Sequence, residues 1–577
     1  MGHSIRRARA TVKEPGNMID SSTNMSRILP DGAALDASSA VRRRELAAVL
    51  AFTLLLFAPW LGKAFHMDEA YFLACGRQIL SDPWHPLAFS YNWYDRLVPM
   101  ASINNTPPPG LYVLAAALGL SQGREWLMRL LLIPFDLLAA AGLYLLAARF
   151  LARPLLPVLI AIASPAYLID FGLAAPEKFC AVFGLFGLYA LVRGVDDHRR
   201  DWFWASAALL AAALVSKYAA ALFLAPAAVY ALRRGAPARR VAAYLAAALL
   251  PLAAVLACDW LRGGAAIVGS AWATTAWGAS SWWSGWAHKL RALLAFTGGC
   301  GVVTAFWGLR RPGRGTLIPA VLALAAVVLL FSPARDAEPV RGLDRLTGMA
   351  LSWGALLGCG AVLARGRSRA PGWALWAPWL LAAAALQGFV YWAVLARIAV
   401  FLTVPLTLAL AESLEQRHGA DRLGPFYAAS LAATLAVSLP LALVDYRAAQ
   451  AQKDFAAEAA QRWLPGRTVW FTGHWGLQYY LEKAGASALD QSPKGWSQVK
   501  PGDLIVAAAV NSNGPLPHVP ATRLLAVRQA GSAVPLRLMS GWSSQAGFYS
   551  SARGFLPYAL SAEPLERWEV REVLPPP

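Results

Sequence analysis

The chain has 577 residues, of which 57% are hydrophobic, and its mean hydropathy is +0.44. Soluble domains are about 45–50% apolar with glycine included, so this composition excludes an ordinary soluble protein. The formal net charge is +19, but the basic residues form no concentrated stripe of the kind that binds nucleic acid, which argues against a nucleic-acid partner. Five cysteines without C-x-x-C spacing argue against a disulfide scaffold or a zinc ribbon.

Apolar segments of membrane-spanning length recur through most of the chain. Clusters of arginine occupy every second connection between them, as the positive-inside rule describes. Placing these clusters in the cytoplasm predicts an all-α polytopic membrane protein with about 13 transmembrane helices. The predicted spans are residues 45–65, 126–150, 155–172, 179–195, 203–216, 219–232, 241–261, 290–309, 317–331, 346–364, 373–395, 398–411 and 426–444.

The two ends of the chain differ from this apolar region. Residues 1–44 are polar and basic, and we expect a disordered cytoplasmic leader without a cleaved signal peptide. An odd number of spans places residues 445–577 outside, where VWFTG and DLIVAAAV read as strands and HWGLQYYLEKAG as a helix. The sequence therefore predicts a membrane domain at residues 45–444 and a small α/β domain at 445–577, in the periplasm if the source is bacterial.

Two outer connections are unusual. The first, at residues 66–124, contains AYFLACGRQIL and GLYVLAAALGL, which are too short to span and are typical of helices lying in the interface. The second, at residues 262–289, carries five tryptophans, which fit either an aromatic belt or a platform for stacking sugars.

Ionisable residues collect at the outer ends of the predicted spans. They are His66, Asp68, Glu69, Glu177, Lys178, Lys217 and Arg397. Singly, these side chains could be solvated, could extend to headgroups or could form local pairs. Together, carboxylates and cations at one level suit a reaction in which a hydroxyl loses its proton while a phosphate leaves.

Several motifs, in this order, resemble bacterial glycosyltransferase family 39. They are DEAYFLACGRQIL, PPPGLYVLAAALGL, REWLMRLLLIPFDLL, SPAYLIDFGLAAPEKFCAVFGLFGLYALVRG, LVSKYAAALFLAPAAVYAL and VWFTGHWGLQYYLEKAG. The resemblance covers most of residues 65–230 and returns at 470–485. It implies the membrane-embedded C-type glycosyltransferase architecture, shared with protein O-mannosyltransferases and lipid A aminoarabinose transferases, with a lipid-linked donor, inverting transfer and an outer active site.

The resemblance also implies roles for individual residues. Asp68 would be the general base and Glu69 would orient the substrate, while Glu177 stands where the family usually has Asp. Lys217 and Arg397 would bind the donor phosphate. His66 is a further candidate for orienting substrate or metal.

The chain departs from its relatives before the proline run. The aminoarabinose transferases carry a basic residue there, whereas this chain reads NNTPPP. Asn105 or Thr106 would have to substitute by hydrogen bonding.

The expected partners are the membrane, a polyprenyl-phosphate-linked sugar and a lipid, glycan or protein acceptor. The sequence assigns no cofactor with certainty, and Mg²⁺ or Mn²⁺ between phosphate and the carboxylates of Asp68 and Glu177 is conceivable. The transferred sugar could be a hexose or a pentose. A transporter or flippase of lipid-linked sugars is the main alternative, followed by a non-catalytic scaffold and an oligosaccharide polymerase or ligase. A transporter usually has charges near the bilayer midplane or repeated halves, and neither is evident here.

Overall fold

A computed structural model describes residues 32–104, 106–261, 285–309, 314–336, 339–364, 371–511 and 521–575. Most of these residues are helical, as the hydropathy pattern predicts. Within the described residues, the helices of seven or more residues are Gly32–Phe57, Glu69–Ser81, Pro108–Ser121, Glu125–Ala147, Leu155–Ala163, Pro165–Phe171, Glu177–Asp196, Arg200–Ser216, Leu224–Arg233, Ala238–Leu261, Gly285–Leu309 with a 3-10 end, Arg314–Leu330, Gly342–Ala364, Trp373–Ala385, Ala396–His418, Gly424–Arg462 and Trp475–Ala484.

The chain is a multi-pass membrane protein. Within the described residues, eight helical stretches are long and apolar enough to cross a bilayer. They are Glu125–Ala147, Glu177–Asp196, Ala238–Leu261, Gly285–Leu309, Gly342–Ala364, Trp373–Val390, Ala396–His418 and Ala420–Arg462. Three shorter apolar helices accompany them, and the predicted number of about 13 spans remains unconfirmed.

The contacts divide the chain into Met1–Ala47 and Ala48–Pro577. In the first unit the structure describes only the beginning of the helix Gly32–Phe57. The second unit contains the outer loops, the remaining helices and the whole tail. The predicted boundaries at residues 44 and 445 stay predictions.

The first outer connection contains the two short helices that the sequence predicts. They are Glu69–Ser81 and Pro108–Ser121, and a hairpin of β1 (Ser90–Trp93) and β2 (Arg96–Pro99) lies between them. Gly110 permits the second helix to approach its neighbour, because a Cβ there would lie 2.3 Å from the carbonyl oxygen of Ser216. This close approach brings the NNTPPP segment beside Lys217.

The predicted span at residues 155–172 is not one helix, so that prediction was wrong. Leu155–Ala163 ends at Ser164, and Pro165–Phe171 begins directly after it. Pro165 has no N–H to continue the first helix, and the Ser164 side chain accepts a hydrogen bond from the backbone N–H of Tyr167 at 3.4 Å. The break directs Asp170, near the end of the second helix, into a cavity at the helix ends.

The last predicted span, residues 426–444, continues into the tail as one helix, Gly424–Arg462, of 39 residues. The sequence predicted a boundary near Asp445, since a charge usually ends an apolar span. The structure instead buries Asp445 in an ion pair with Lys63. At about 1.5 Å per residue the helix is about 58 Å long, well beyond the roughly 30 Å hydrocarbon core.

The tail contains the predicted small α/β domain. Its strands are β3 (Val469–Thr472), β4 (Ser487–Ala488), β5 (Leu504–Ala508), β6 (Thr522–Ala530), β7 (Leu536–Arg537), β8 (Ala559–Leu560) and β9 (Glu566–Val573). Five of them form a sheet in the order β4-β3-β5-β9-β6. β3 pairs in parallel with β4 and β5, whereas β9 pairs antiparallel with β5 and β6.

The segment between β7 and β8 connects the tail to the start of the helix Ala396–His418 and to the residues just before it. The carbonyl oxygen of Phe548 accepts a hydrogen bond from Ala396 N at 3.0 Å, and Ser551 N donates to Val394 O at 2.9 Å. On the other side of the sheet, Gly476 lets the helix Trp475–Ala484 touch the first loop, since a Cβ would lie 2.5 Å from Phe65 O. The tail therefore supplies part of the wall of the same cavity.

Candidate active site

A cavity of 510 Å³ lies where the first outer loop, the helix ends and the tail meet. Its ionisable lining residues are Asp68, Glu69, Asp170, Glu177 and Arg397. Its aromatic lining residues are Tyr71, Phe72, Trp93, Tyr94, Trp392, Trp475 and Tyr549. Pockets for small ligands typically measure about 300–1,000 Å³, with apolar walls and a few polar groups, so this cavity has the size and lining of a binding site.

Four of the predicted site residues form one network of charges. The Arg397 guanidinium forms an ion pair with Asp68, and its Nε lies 3.7 Å from Glu177 Oε1. Lys217 Nζ lies 3.3 Å from the same glutamate oxygen. The structure thus brings together Asp68 and Arg397, which are 329 positions apart in the chain, and two carboxylates balance two cations.

Each of these four residues lies at or next to a helix end. Asp68 directly precedes the helix Glu69–Ser81, and Lys217 directly follows Arg200–Ser216. Glu177 is the first residue of its helix, where the helix dipole favours a negative charge. Arg397 is the second residue of Ala396–His418. Charged side chains at the ends of apolar helices are less costly to desolvate than charges in the middle of a span.

Thr106 contacts Lys217, the cation that also lies beside Glu177. Its Oγ1 accepts a hydrogen bond from Lys217 Nζ at 2.8 Å, and both side chains are buried. Thr106 therefore takes part in the network, as the NNTPPP departure suggested. Asn105, the other candidate, lies outside the described residues.

The side chain of Glu69, the neighbour of Asp68, is fully buried. Its carboxylate accepts hydrogen bonds from Arg129 at 2.8 and 2.9 Å, and from the backbone N–H groups of His66 at 2.7 Å and Ala174 at 2.8 Å. These protein donors occupy both oxygens, and they join the first loop to two other segments. A role in orienting substrate stays a prediction; the contacts favour positioning of Asp68 through the loop.

His66 is buried beside the cavity but does not line it. Its Nε2 lies 3.7 Å from Asp445 Oδ1, and its ring contacts Tyr549 edge-on at 5.6 Å. Burial lowers the pKa of His66 from 6.5 to about 4, despite the opposing attraction of Asp445. The ring is therefore neutral near pH 7, and its predicted role in orienting substrate or metal stays untested.

Three lining residues adopt left-handed backbone conformations that are uncommon outside glycine. They are Met67 with φ 49°, Tyr94 with φ 54° and Trp475 with φ 59°. Such conformations cost about 1–3 kcal/mol each and gather at functional sites, where the surroundings hold them. Burial also raises the pKa of Tyr94 to about 12, so its hydroxyl remains a hydrogen-bond donor.

The sequence did not single out Asp170 or the aromatic residues of the tail as site residues. Asp170 stands alone in the apolar run SPAYLIDFGLAA, and an isolated acid in such a run is a signal of function that could have found it. Nothing local indicates that Tyr549 reaches the site. Four tryptophans of the predicted platform, Trp272, Trp277, Trp282 and Trp283, lie outside the described residues.

The charge network does not fit a divalent metal. Asp68 and Glu177, the conceivable ligands, both contact Arg397, and Glu177 also contacts Lys217. Across the described ranges, no three His, Cys, Asp or Glu side chains are grouped so that they could hold a metal ion. The cations already neutralise these carboxylates, so we assign no step to a metal.

Residues 105–261 match the family model described as dolichyl-phosphate-mannose-protein mannosyltransferase. This match confirms the resemblance over that part of the chain and indicates a glycosyltransferase. No curated protein matches the sequence.

The solved structures that resemble the chain include two of ArnT from Cupriavidus metallidurans. The one bound to undecaprenyl phosphate is 18% identical, with 80% of this chain and 92% of that chain covered and a TM-score of 0.42. The apo structure is 14% identical, with 82% and 93% covered and a TM-score of 0.35. These TM-scores are low, so the fold is taken from this chain's own structure.

Proposed function

We propose that this protein is an inverting glycosyltransferase that moves a sugar from a polyprenyl-phosphate donor to a hydroxyl acceptor. The observation that carries the proposal is the network of Asp68, Arg397, Glu177 and Lys217 at one cavity. The family match at residues 105–261, which includes Glu177 and Lys217, supports it.

In the proposed step, Asp68 acts as the general base. Its side chain is 24% exposed at the cavity, whereas that of Glu69 is 0% exposed, so of these neighbouring acids Asp68 is the one an acceptor can reach. Asp68 takes the hydroxyl proton, and the oxygen bonds to the anomeric carbon. The bond from that carbon to the phosphate oxygen breaks, and its electron pair leaves with the phosphate.

Proton transfer and phosphate departure would be coupled through Arg397. Before transfer, the guanidinium neutralises Asp68 and lies near Glu177. When Asp68 becomes protonated, one of these negative partners is lost, and the guanidinium can turn its donors to the phosphate, which is gaining charge. Arginine suits this exchange because its planar fork can bind two phosphate oxygens at once.

Lys217 would hold the phosphate from the buried side. Glu177 and Thr106 fix its ammonium group, and its side chain is 1% exposed. In a water-poor site such an ammonium stabilises developing negative charge more strongly than it could in solution. Glu177 would then position the cation, with no direct part in the proton transfer.

We place this cavity at the periplasmic face of a bacterial inner membrane, with the amino terminus in the cytoplasm and residues 445–577 outside. The arginine clusters between spans support this orientation. A cysteine introduced at exposed Ser497, in a background where Cys258→Ser removes the exposed native thiol, should react with a membrane-impermeant maleimide added to intact cells. Labelling only after lysis would contradict the orientation.

The test of the reaction is transfer of a labelled sugar from polyprenyl-phosphate donors in membranes that contain the protein. Asp68→Asn should lower the rate about 100- to 10,000-fold, the usual contribution of a general base. Asp82→Asn, at an exposed acid just after the same helix, is the matched control and should keep wild-type activity.

Two results would overturn the proposal. Undiminished transfer by Asp68→Asn removes the base, and no transfer by the wild type with any donor tested favours a transporter or a scaffold. The sugar, hexose or pentose, and the acceptor, lipid, glycan or protein, would be read from the products.

A further inference from the structure

Asp170 is an acid in the cavity wall that the proposed reaction does not use. It lines the cavity, and only 4% of the residue is exposed. Neither carboxyl oxygen has a hydrogen-bond partner among the described residues, and no described cation forms an ion pair with it. Other buried acids of the same region, such as Glu69 and Asp136, are fully engaged by protein donors.

An unpartnered buried carboxyl group is costly, and natural structures rarely retain one without a function. The neighbouring residues on its helix turn, such as Tyr167 and Leu168, supply no hydrogen bond to its side chain. Because Asp170 lines the cavity, a molecule bound there can supply the missing donors. A carboxylate can accept hydrogen bonds at both oxygens, which suits adjacent hydroxyls of one sugar ring or a single ammonium group.

We infer that Asp170 binds the transferred sugar of the donor lipid through its hydroxyl or ammonium groups, an inference that rests on the proposed function. Asp170 lines the same cavity as Arg397 and Glu177, which belong to the network proposed to hold the phosphate. A sugar linked to a phosphate at Arg397 therefore has its ring within the reach of Asp170.

The aromatic wall supports a sugar as the occupant. Trp93, Trp392 and Trp475 all line the cavity, and indole faces offer apolar surface to the C–H face of a sugar ring. The indole faces offer no hydrogen-bond acceptor, and Asp170 can supply one for the hydroxyl or ammonium groups at the edge of the sugar ring. Asp170 is thus assigned a role in donor specificity, separate from the proton transfer at Asp68.

The experiment measures equilibrium binding of lipids to the purified protein without acceptor, so that turnover does not enter. The probes are undecaprenyl phosphate, undecaprenyl-phosphate mannose and undecaprenyl-phosphate aminoarabinose. Asp170→Asn should weaken the binding of at least one sugar-bearing lipid about 10- to 100-fold, which is the effect of losing hydrogen bonds to a charged group. The affinity for undecaprenyl phosphate should not change. A loss of affinity for the mannose lipid would indicate recognition of hydroxyl groups, and a loss confined to the aminoarabinose lipid would indicate recognition of an ammonium group.

Thermal unfolding of the empty protein separates this role from a structural one. Asp170→Asn should unfold at the wild-type temperature or higher, because the carboxyl group it replaces has no hydrogen-bond partner to lose among the described residues. Glu412→Gln is the matched control: its carboxylate binds Gly372 N and Trp376 Nε1 away from the cavity, so it should lower the unfolding temperature and leave lipid binding unchanged.

Wild-type affinity of Asp170→Asn for both sugar-bearing lipids would overturn the inference. So would an equal loss for all three lipids or a clear fall in unfolding temperature. If the wild type itself fails to bind undecaprenyl phosphate, the proposed function fails instead.

Discussion

Two pairs of neighbouring charged residues, Asp68 with Glu69 and Glu177 with Lys178, show how differently this protein treats adjacent charges. In each pair the first residue faces the cavity, where its partners are Arg397 or Lys217. The second residue forms a closed, buried ion pair, Glu69 with Arg129 and Lys178 with Asp136 at 2.7 Å.

The difference between the two members teaches where function is to be sought. The closed pairs satisfy their charges with fixed partners, and a substrate has nothing to add to them. The cavity residues share one guanidinium among several oxygens, an arrangement that a phosphate can enter by exchanging partners. We therefore propose a structural role for the second residue of each pair and a role in the reaction for the first.

The largest expected effect is on the cavity side of the comparison. Arg397→Gln should lower kcat about 100- to 1,000-fold, because it removes a donor aimed at charge that develops in the transition state. Arg149→Gln, which breaks an exposed ion pair with Asp197, should leave kcat unchanged. Initial rates over a range of donor concentrations provide the measurement, and a change confined to KM would place Arg397 in ground-state binding only.

On the closed side the expected effect is on stability. Lys178→Leu leaves Asp136 buried without its counter-ion and should lower the free energy of unfolding by about 3–5 kcal/mol. Adding Asp136→Leu removes the unpaired charge and should recover most of that loss. Denaturant unfolding in detergent measures both variants; a double variant as unstable as the single one would show that the pair does more than neutralise itself.

The smallest expected effect concerns His66, which is buried beside the cavity but does not line it. The pKa of His66 is about 4 in the folded protein and near 6.5 when unfolded, so the unfolded chain binds the extra proton first. The stability that His66 contributes is complete above pH 6.5 and declines as the pH falls towards 4. His66→Gln should make the unfolding temperature vary less with pH between pH 6.5 and 4. An unchanged dependence on pH would assign it to other groups.

The sequence predicted the fold best where local signals agreed. The length of the apolar segments predicted the membrane helices, and short amphipathic runs predicted Glu69–Ser81 and Pro108–Ser121. The tail motif predicted β3, the helix that follows it and β5. The sequence prediction failed at Pro165, which breaks the helix inside an apolar run. It also failed at Asp445, because a charge that looks like the end of a span is paired with Lys63, 382 positions away.

For the site, residue type and resemblance predicted Asp68, Glu177, Lys217 and Arg397 as members, but the choice of partners could not be predicted. Glu177 and Lys178 look like a local pair in the sequence, yet each binds a different partner. Partner choice depends on which face of each helix turns inward, and side-chain direction follows from tertiary packing.

The helix Gly424–Arg462 leaves no hinge between the last span and the tail that supplies Trp475 and Tyr549. Each residue inserted into such a helix would rotate the whole tail by about 100° and advance it by about 1.5 Å. One inserted residue would swing those aromatic side chains away from the cavity, whereas seven would nearly restore their angle while lifting them about 10 Å. A chimera that exchanges tails between related proteins must therefore preserve helical phase and length together.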